Sequence, residues 1–184
     1  FMNILKAKFN GVSKLAQQIK FIENSYENVI EVKNLTKRFG SFIATDNVSF
    51  KSKKGQIFGL LGPNGAGKST TFKMLCGLLK PSSGEAKVLG YNFMNSSIQA
   101  RWKIGYMSQK FSLYADISVF ENLKFYAGIY GLQGLRKKEK IANMLEIFDL
   151  EKFKNTQAKD LPLGYKQRLS LACAIMHDPA VLFL

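Results

Sequence analysis

The chain has 184 residues, enough for one domain with a real core, and its 46% hydrophobic and 22% charged content is ordinary for a globular protein. No apolar run approaches the ~20 residues of a membrane-spanning helix. A formal charge of +14 permits contact with nucleic acid, ribosomes or anionic membranes, yet the excess is lysine. The arginines are Arg38, Arg101, Arg136 and Arg168, and arginine is the residue favoured for bidentate phosphate and base recognition, so specific nucleic-acid binding is not expected. Cys76 and Cys173 lie in apolar helical patterns and His177 is the sole histidine, without any Cys-x-x-Cys or Cys/His spacing. That excludes a structural zinc or a disulfide framework and reads as two small core residues in a reducing compartment.

Residues 1–22 place Leu5, Phe9, Val12, Ala16 and Ile19 on one helical face, with Lys6, Lys8, Lys14 and Lys20 and no acid before Glu23. Two readings of 1–27 stay open: a basic amphipathic helix on a membrane surface, or a helix or linker packed on protein; Asn10-Gly11 interrupts both. Val29 to Leu35 alternates clearly and Thr45 to Phe50 follows, predicting an antiparallel β piece. Gln56 to Leu61 reads as a short apolar strand and Lys68 to Leu79 as a helix closed by Pro81 and Ser82-Ser83-Gly84. A strand is predicted over Glu85 to Leu89, a helix end over Ile98 to Lys103 and a strand over Ile104 to Ser108. Helical periodicity marks Val119 to Tyr130, Lys137 to Phe148 and Lys166 to Met176, before a terminal strand from Val181. Alternating strands and helices imply an α/β core with a mainly parallel sheet, and a helical subdomain over about 112–165 within a domain of 28–184. The chain stops at Leu184 inside the apolar run Ala-Val-Leu-Phe-Leu, which reads as a piece of a longer protein.

The chemistry concentrates in Gly62, Pro63, Asn64, Gly65, Ala66, Gly67, Lys68, Ser69 and Thr70. This is Gly-x(4)-Gly-Lys-[Ser/Thr], placed between a predicted strand and a predicted helix as a phosphate-binding loop requires. The glycines let the backbone turn and approach an anion. Successive N–H groups and the helix dipole then supply positive potential. Lys68 would reach the β- and γ-phosphates of ATP and the Ser69 hydroxyl would bind Mg²⁺.

With that loop as anchor, the segment from about residue 28 onward resembles the ATP-binding domain of ABC transporters, a P-loop NTPase. The resemblance rests on four further segments in order. Phe39, in Leu35-Thr-Lys-Arg-Phe-Gly40, resembles the aromatic that stacks on adenine; Gln109, in Ile104-Gly-Tyr-Met-Ser-Gln109, resembles the glutamine that touches Mg²⁺ and moves with the membrane partner. Leu161 to Arg168 resembles the family signature, and Ala180 to Leu184 the apolar strand before an acidic pair. The signature departs from the usual Leu-Ser-Gly-Gly-Gln: the positions are Leu161, Pro162, Leu163, Gly164 and Tyr165, so the serine hydroxyl and glutamine amide are missing. The same altered run, with Tyr-Met-Ser-Gln-Lys-Phe-Ser-Leu-Tyr and Glu-Asn-Leu-x-Phe-Tyr-Ala-Gly, resembles the exporter or ABC-2-like subclass.

The resemblance implies an ATPase that couples ATP binding and hydrolysis to export through a membrane permease, with Mg²⁺ as cofactor and Lys68 and Gln109 as catalytic. A second ATP-binding domain would receive the signature contact, and the protein would sit at the cytoplasmic face of the membrane. The aromatic-rich stretch Phe111, Leu113, Tyr114, Phe120, Phe125 and Tyr126 would face a permease helix. Because the acidic pair would lie beyond Leu184, the intact protein is expected to hydrolyse ATP and these 184 residues alone only to bind it. Two other readings stay open: a soluble ABC-type ATPase working on ribosomes or nucleic acid, and a non-hydrolysing partner in an asymmetric pair, prompted by Pro162.

Overall fold

The computed structural model describes residues 28–92, 101–108 and 112–184. The N-terminal stretch 1–27, residues 98–100 of the helix end expected at 98–103, and Gln109 and Phe111 lie outside the described residues. The chain divides into two compact units, with the boundary between Ile104 and Gly105.

In the first unit, β1 (Asn28–Phe39) and β2 (Phe42–Lys53) form a long hairpin, and β3 (Ser83–Val88) and β4 (Tyr91–Asn92) complete a sheet of order β2-β1-β3-β4. All three ladders are antiparallel. The antiparallel piece expected from the alternation is thus longer than the patterns suggested, and bulges with left-handed Asn34 (φ 49°) and Asn47 (φ 47°) bend it. The alternation buries Ile30, Val32 and Leu35 of β1 with Val88 of β3, and Met74 and Leu75 are buried on α1 (Lys68–Leu75), which neighbours β2 and β3. Charge lies in cross-strand rows: Glu31 stands between Lys51 and Lys87, and Lys33 opposite Glu85.

Helix α1 stops four residues before the predicted Leu79, and Gly77 is the reason. At φ 67° it takes the left-handed conformation that closes a helix, and Leu78 N–H donates back to Lys73 C=O at 2.8 Å. Gln56 to Leu61 differs more. Among the described residues it joins no ladder, and Ile57 and Leu61 are exposed (76% and 95%), while Phe58 stacks on Phe50 of β2 at 4.8 Å between ring centroids. A run of apolar residues supplies strand propensity, but a strand also needs a neighbour's N–H and C=O row, and the four-stranded sheet of this unit does not take the segment in.

The second unit is mainly helical. β5 (Ile104–Tyr106) and β6 (Val181–Phe183) pair as a two-stranded sheet, and between them lie α2 (Val119–Ile129), α3 (Gly134–Ile147), two 3-10 turns (Glu151–Phe153 and Ala158–Asp160) and α4 (Leu163–Ile175). The three helices close over one apolar core that includes Val119, Leu123, Met144, Leu145, Leu150, Leu161, Leu169 and Met176, each at most 3% exposed. Burying side chains of this size stabilises the unit by about 1.5–3 kcal/mol apiece before chain entropy is counted. Both cysteines are free and buried, as their patterns implied, and burial pushes the Cys76 thiol up to about 12.

Helix α2 begins on a capping box. Ser118 Oγ accepts from Glu121 N–H at 3.2 Å and Glu121 returns a carboxylate to Ser118 N–H at 2.8 Å. The Ser118 N–H, and the Ser118 hydroxyl donating to the same carboxylate oxygen, hold the Glu121 carboxyl below its ordinary range. One turn in, Asn122 is fully buried, and its amide nitrogen donates to the carbonyls of Tyr114, Ile117 and Ser118 while its oxygen accepts from Tyr114 N–H. One side chain therefore fixes the whole loop that enters α2.

Candidate functional site

The glycine-rich segment lies on the surface of the first unit, with Gly62 to Ala66 all exposed, and it leads directly into α1. Gly65 (φ 86°) and Gly67 (φ 79°) both adopt the left-handed region, and Gly67 is the N-cap of α1. Its conformation is doubly demanded: a Cβ there would run into the backbone carbonyl of Ala44 and the Thr45 hydroxyl of β2. Gly62 is crowded differently, since a Cβ on it would come within 3.3 Å of Ala66 Cβ across the loop. A Cβ on Gly65, by contrast, would meet nothing within 4 Å.

Two threonines and one lysine hold the loop's shape. Thr71, 1% exposed, donates its hydroxyl to Gly67 C=O at 3.0 Å and its N–H to the same oxygen at 2.8 Å. Thr45 adds a weaker hydroxyl contact to that carbonyl at 3.5 Å. The Lys68 ammonium bends back over the loop and donates to Gly62 C=O and Pro63 C=O, both at 2.7 Å. Its ammonium is therefore held across the start of the loop by two neutral carbonyls. Ser69 is exposed on the first turn of α1 beside it, and Thr70 is half-buried.

Phe39 ends β1, pairs across the hairpin with Phe42 and is 51% exposed. Its ring is available for stacking, and the Lys37 ammonium lies 5.0 Å from the ring centre while donating to Lys80 C=O. The same hairpin touches the loop at Ala44, two residues and about 7 Å along β2 from Phe42. The structure thus places Phe39 and the loop on one framework. Thr45 and Thr71, which support Gly67, are residues that sequence reasoning did not single out. Thr45 was hidden in a strand alternation, and Thr71 was one of several hydroxyl residues following Lys68.

The second cluster of expected residues belongs to the helical unit. Leu161 is buried in the core at 3% exposure, Pro162 is the N-cap of α4, and Leu163 projects into solvent at 72%. Helix α4 starts three residues before the predicted Lys166, because Pro162 C=O accepts from Tyr165 N–H at 2.9 Å and Lys166 N–H at 3.0 Å. No side chain caps this N-terminus. Tyr165 turns inward: its hydroxyl donates to Asp149 Oδ2 at 3.2 Å, and Lys152 and Arg168 donate to the same oxygen at 3.2 and 3.1 Å. The hydrogen bond from Lys152, with those from Tyr165 and Arg168, holds the Asp149 carboxyl below its ordinary range. His177, in the turn after α4, stacks on Tyr130 with ring centres 3.8 Å apart. The aromatic stretch after Gln109 splits: Tyr114 (51%) and Phe125 (42%) are exposed and meet edge to face, whereas Leu113, Phe120 and Tyr126 pack against the core.

A metal site made of protein groups alone is absent among the described residues, and none of their helices is long and apolar enough to cross a membrane.

Comparison with known proteins gives these features a family. The model for "ABC transporter" matches residues 45–184. A relative in Escherichia coli (strain K12), "Probable multidrug ABC transporter ATP-binding protein YbhF", is 53% identical over 185 residues, covering 100% of this chain and 32% of its own. The bacitracin transport ATP-binding protein BcrA of Bacillus licheniformis is 38% identical over 156 residues, 85% of this chain and 50% of its own. The chain therefore spans a third to a half of the length of these curated relatives. Among solved structures, a dimeric ATP-binding cassette in a post-hydrolysis state with ADP and Pi superposes with a TM-score of 0.73 at 28% identity, over 83% of this chain and 72% of that one. The α/β P-loop NTPase class read from the sequence is the class of these neighbours, and the chain belongs to the ABC transporter family of ATP-binding domains.

Proposed function

We propose that this chain is the ATP-binding module of an ABC transporter, and that it couples ATP binding and hydrolysis to export through a membrane permease. The observation that carries the reading is the loop Gly62 to Thr70, with left-handed Gly65 and Gly67 and the Lys68 ammonium held at its rim. The first turn of α1 leaves backbone N–H groups without partners one turn earlier in the helix, and its dipole adds positive potential at the same place. Lys68 exchanges two neutral carbonyls for phosphate oxygens, a stronger, charge-assisted pairing. Phe39 offers its exposed face to adenine. Such contacts hold the β- and γ-phosphates in place, and positioning with charge neutralisation is most of what phosphoryl transfer asks of a protein.

The residues present suit Mg²⁺ as well. The exposed Ser69 hydroxyl would be a protein ligand, with oxygens of phosphate and water completing the set, as is usual for this ion. The ion would neutralise part of the phosphate charge. Gln109 would contribute a further contact. The altered signature, Leu161 to Tyr165, would offer Gly164 N–H and the N-terminal dipole of α4 to nucleotide held by a second ATP-binding domain, without the hydroxyl that Pro162 lacks.

Export is supported by the multidrug and bacitracin transport names of the relatives, and by the exporter-like signature and aromatic runs. The module would lie at the cytoplasmic face of the membrane, held there by its permease, with exposed Tyr114 and Phe125 turned to that partner.

The test is ATP turnover by the intact protein purified with its permease, comparing wild type with Lys68→Ala. Turnover that depends on Lys68 and is stimulated by the permease is expected. Turnover that survives Lys68→Ala undiminished would overturn the reading.

A further inference from the structure

We propose that Tyr165 is a positioning residue, whose ring and hydroxyl lock the first turn of α4 to the Asp149 turn and so aim the Pro162–Gly164 tip. The inference rests on the reading of that tip as a nucleotide contact.

Three observations converge. First, α4 has no side-chain cap: Pro162 occupies the N-cap and accepts two N–H bonds through its carbonyl only. A serine, threonine or aspartate at such a position caps a helix start through its side-chain oxygen, and proline cannot replace that. Second, the tip has little packing of its own. Leu163 is 72% exposed, and a Cβ added to Gly164 would meet nothing within 4 Å. Something outside the tip must fix its direction.

Third, Tyr165 meets Asp149, Lys152 and Phe153 of the turn after α3, and Arg168 of its own helix packs on its ring. Its hydroxyl donates to Asp149 at 3.2 Å, and its ring meets Phe153 edge to face, with centroids 4.5 Å apart and planes at 61°. The Lys152 ammonium lies 4.9 Å from the ring centre and the Arg168 guanidinium carbon 4.6 Å. Arg168 extends the clamp by donating to Phe148 C=O at 3.3 Å as well as to Asp149. Asp149 itself is left-handed (φ 53°), a conformation that aspartate tolerates better than most residues, and this presents its carboxylate to all three donors.

The tip is thus suspended between two anchors, buried Leu161 on one side and clamped Tyr165 on the other. Where the related signature has a glutamine, this chain uses an aromatic hydroxyl directed at its own α3–α4 junction. On this account Tyr165 does not reach the nucleotide; it sets the direction of the N–H groups that do.

The experiment uses the intact protein with Tyr165→Leu, Tyr165→Phe and Asp149→Asn, reading hydrogen exchange of the amides of residues 165 and 166, which donate to Pro162 C=O, nucleotide Kd, and kcat and KM for ATP. Tyr165→Leu should speed exchange at those amides about tenfold and lower kcat about tenfold, with Kd within about twofold of wild type. Tyr165→Phe, which keeps the ring contacts, should fall between. Exchange that stays unchanged in Tyr165→Leu would overturn the proposal, as would a Kd that worsens in step with kcat and the melting temperature. Faster exchange in a protein whose wild type turns over no ATP would uphold the clamp and remove the functional reading beneath it.

Discussion

The two units solve the problem of holding a backbone still in opposite ways. Around the phosphate-binding loop the shape is written in the main chain. Gly67 takes a left-handed conformation, presses against Ala44 and Thr45, and has its carbonyl held from three sides by Thr45 and Thr71. Around the α4 tip the shape is imposed by side chains at a distance, the Asp149 carboxylate gathering Tyr165, Arg168 and Lys152. The loop is exposed and leaves its apolar neighbours Ile57 and Leu61 uncovered, whereas the helical unit closes over a continuous core. The loop, which we propose accepts an anion, is built from backbone, whose donors cost little to preorganise. A site that must be aimed is built from a lever with a distant anchor.

This contrast predicts effects of different kinds. The largest is at Gly67. Gly67→Ala would need both an unfavourable φ and a shift of β2, so nucleotide binding should fall more than about a hundredfold, while the helical unit keeps its hydrogen-exchange protection. Calorimetric titration with Mg-ATP reads the first and exchange the second; equal damage to both units would break the distinction. The converse is Asn122→Ala. Four hydrogen bonds vanish in a fully buried place and three carbonyls lose a donor, so stability should drop by about 3 kcal/mol in denaturant, with nucleotide Kd little changed. Ser118→Ala, which removes one half of a capping box on the solvent side of the same helix, should cost only about 1 kcal/mol.

The smallest effect is in acid. Glu121 and Asp149 both have folded pKa values below their ordinary range, so the stability they contribute is complete above that range and is lost as pH falls through the lowered values, below about pH 4. A melting curve followed from pH 6 to pH 3 should therefore be flat at first and then fall. A fall already at pH 6 would assign the sensitivity to some other group.

The same contrast explains what could be read from sequence. The loop was legible because its chemistry depends on residue type at fixed spacing, and Gly62, Gly67, Lys68 and Ser69 have few substitutes. Helices α2 and α3 were legible from periodicity, and their ends moved by a few residues where Gly134 opens one and Tyr130 lies just past the other. Gln56 to Leu61 misled, because an apolar run encodes a preference and not a partner. Tyr165 reads in sequence as a departure from a motif; only the fold brings Asp149, sixteen residues earlier, under its hydroxyl. Asn122 is one more polar residue on a helix until tertiary structure buries it. Local rules gave the elements, and long-range contacts supplied the meaning of the exceptions.

The central claim is that Gly62 to Thr70 hold the phosphates of ATP through Lys68. The direct measurement is Mg-ATP binding to the intact protein by calorimetry, wild type beside Lys68→Ala. Loss of a charge-assisted pairing worth about 3 kcal/mol should weaken Kd roughly a hundredfold without lowering the melting temperature of the nucleotide-free protein. Equal affinity in the two proteins would contradict the claim.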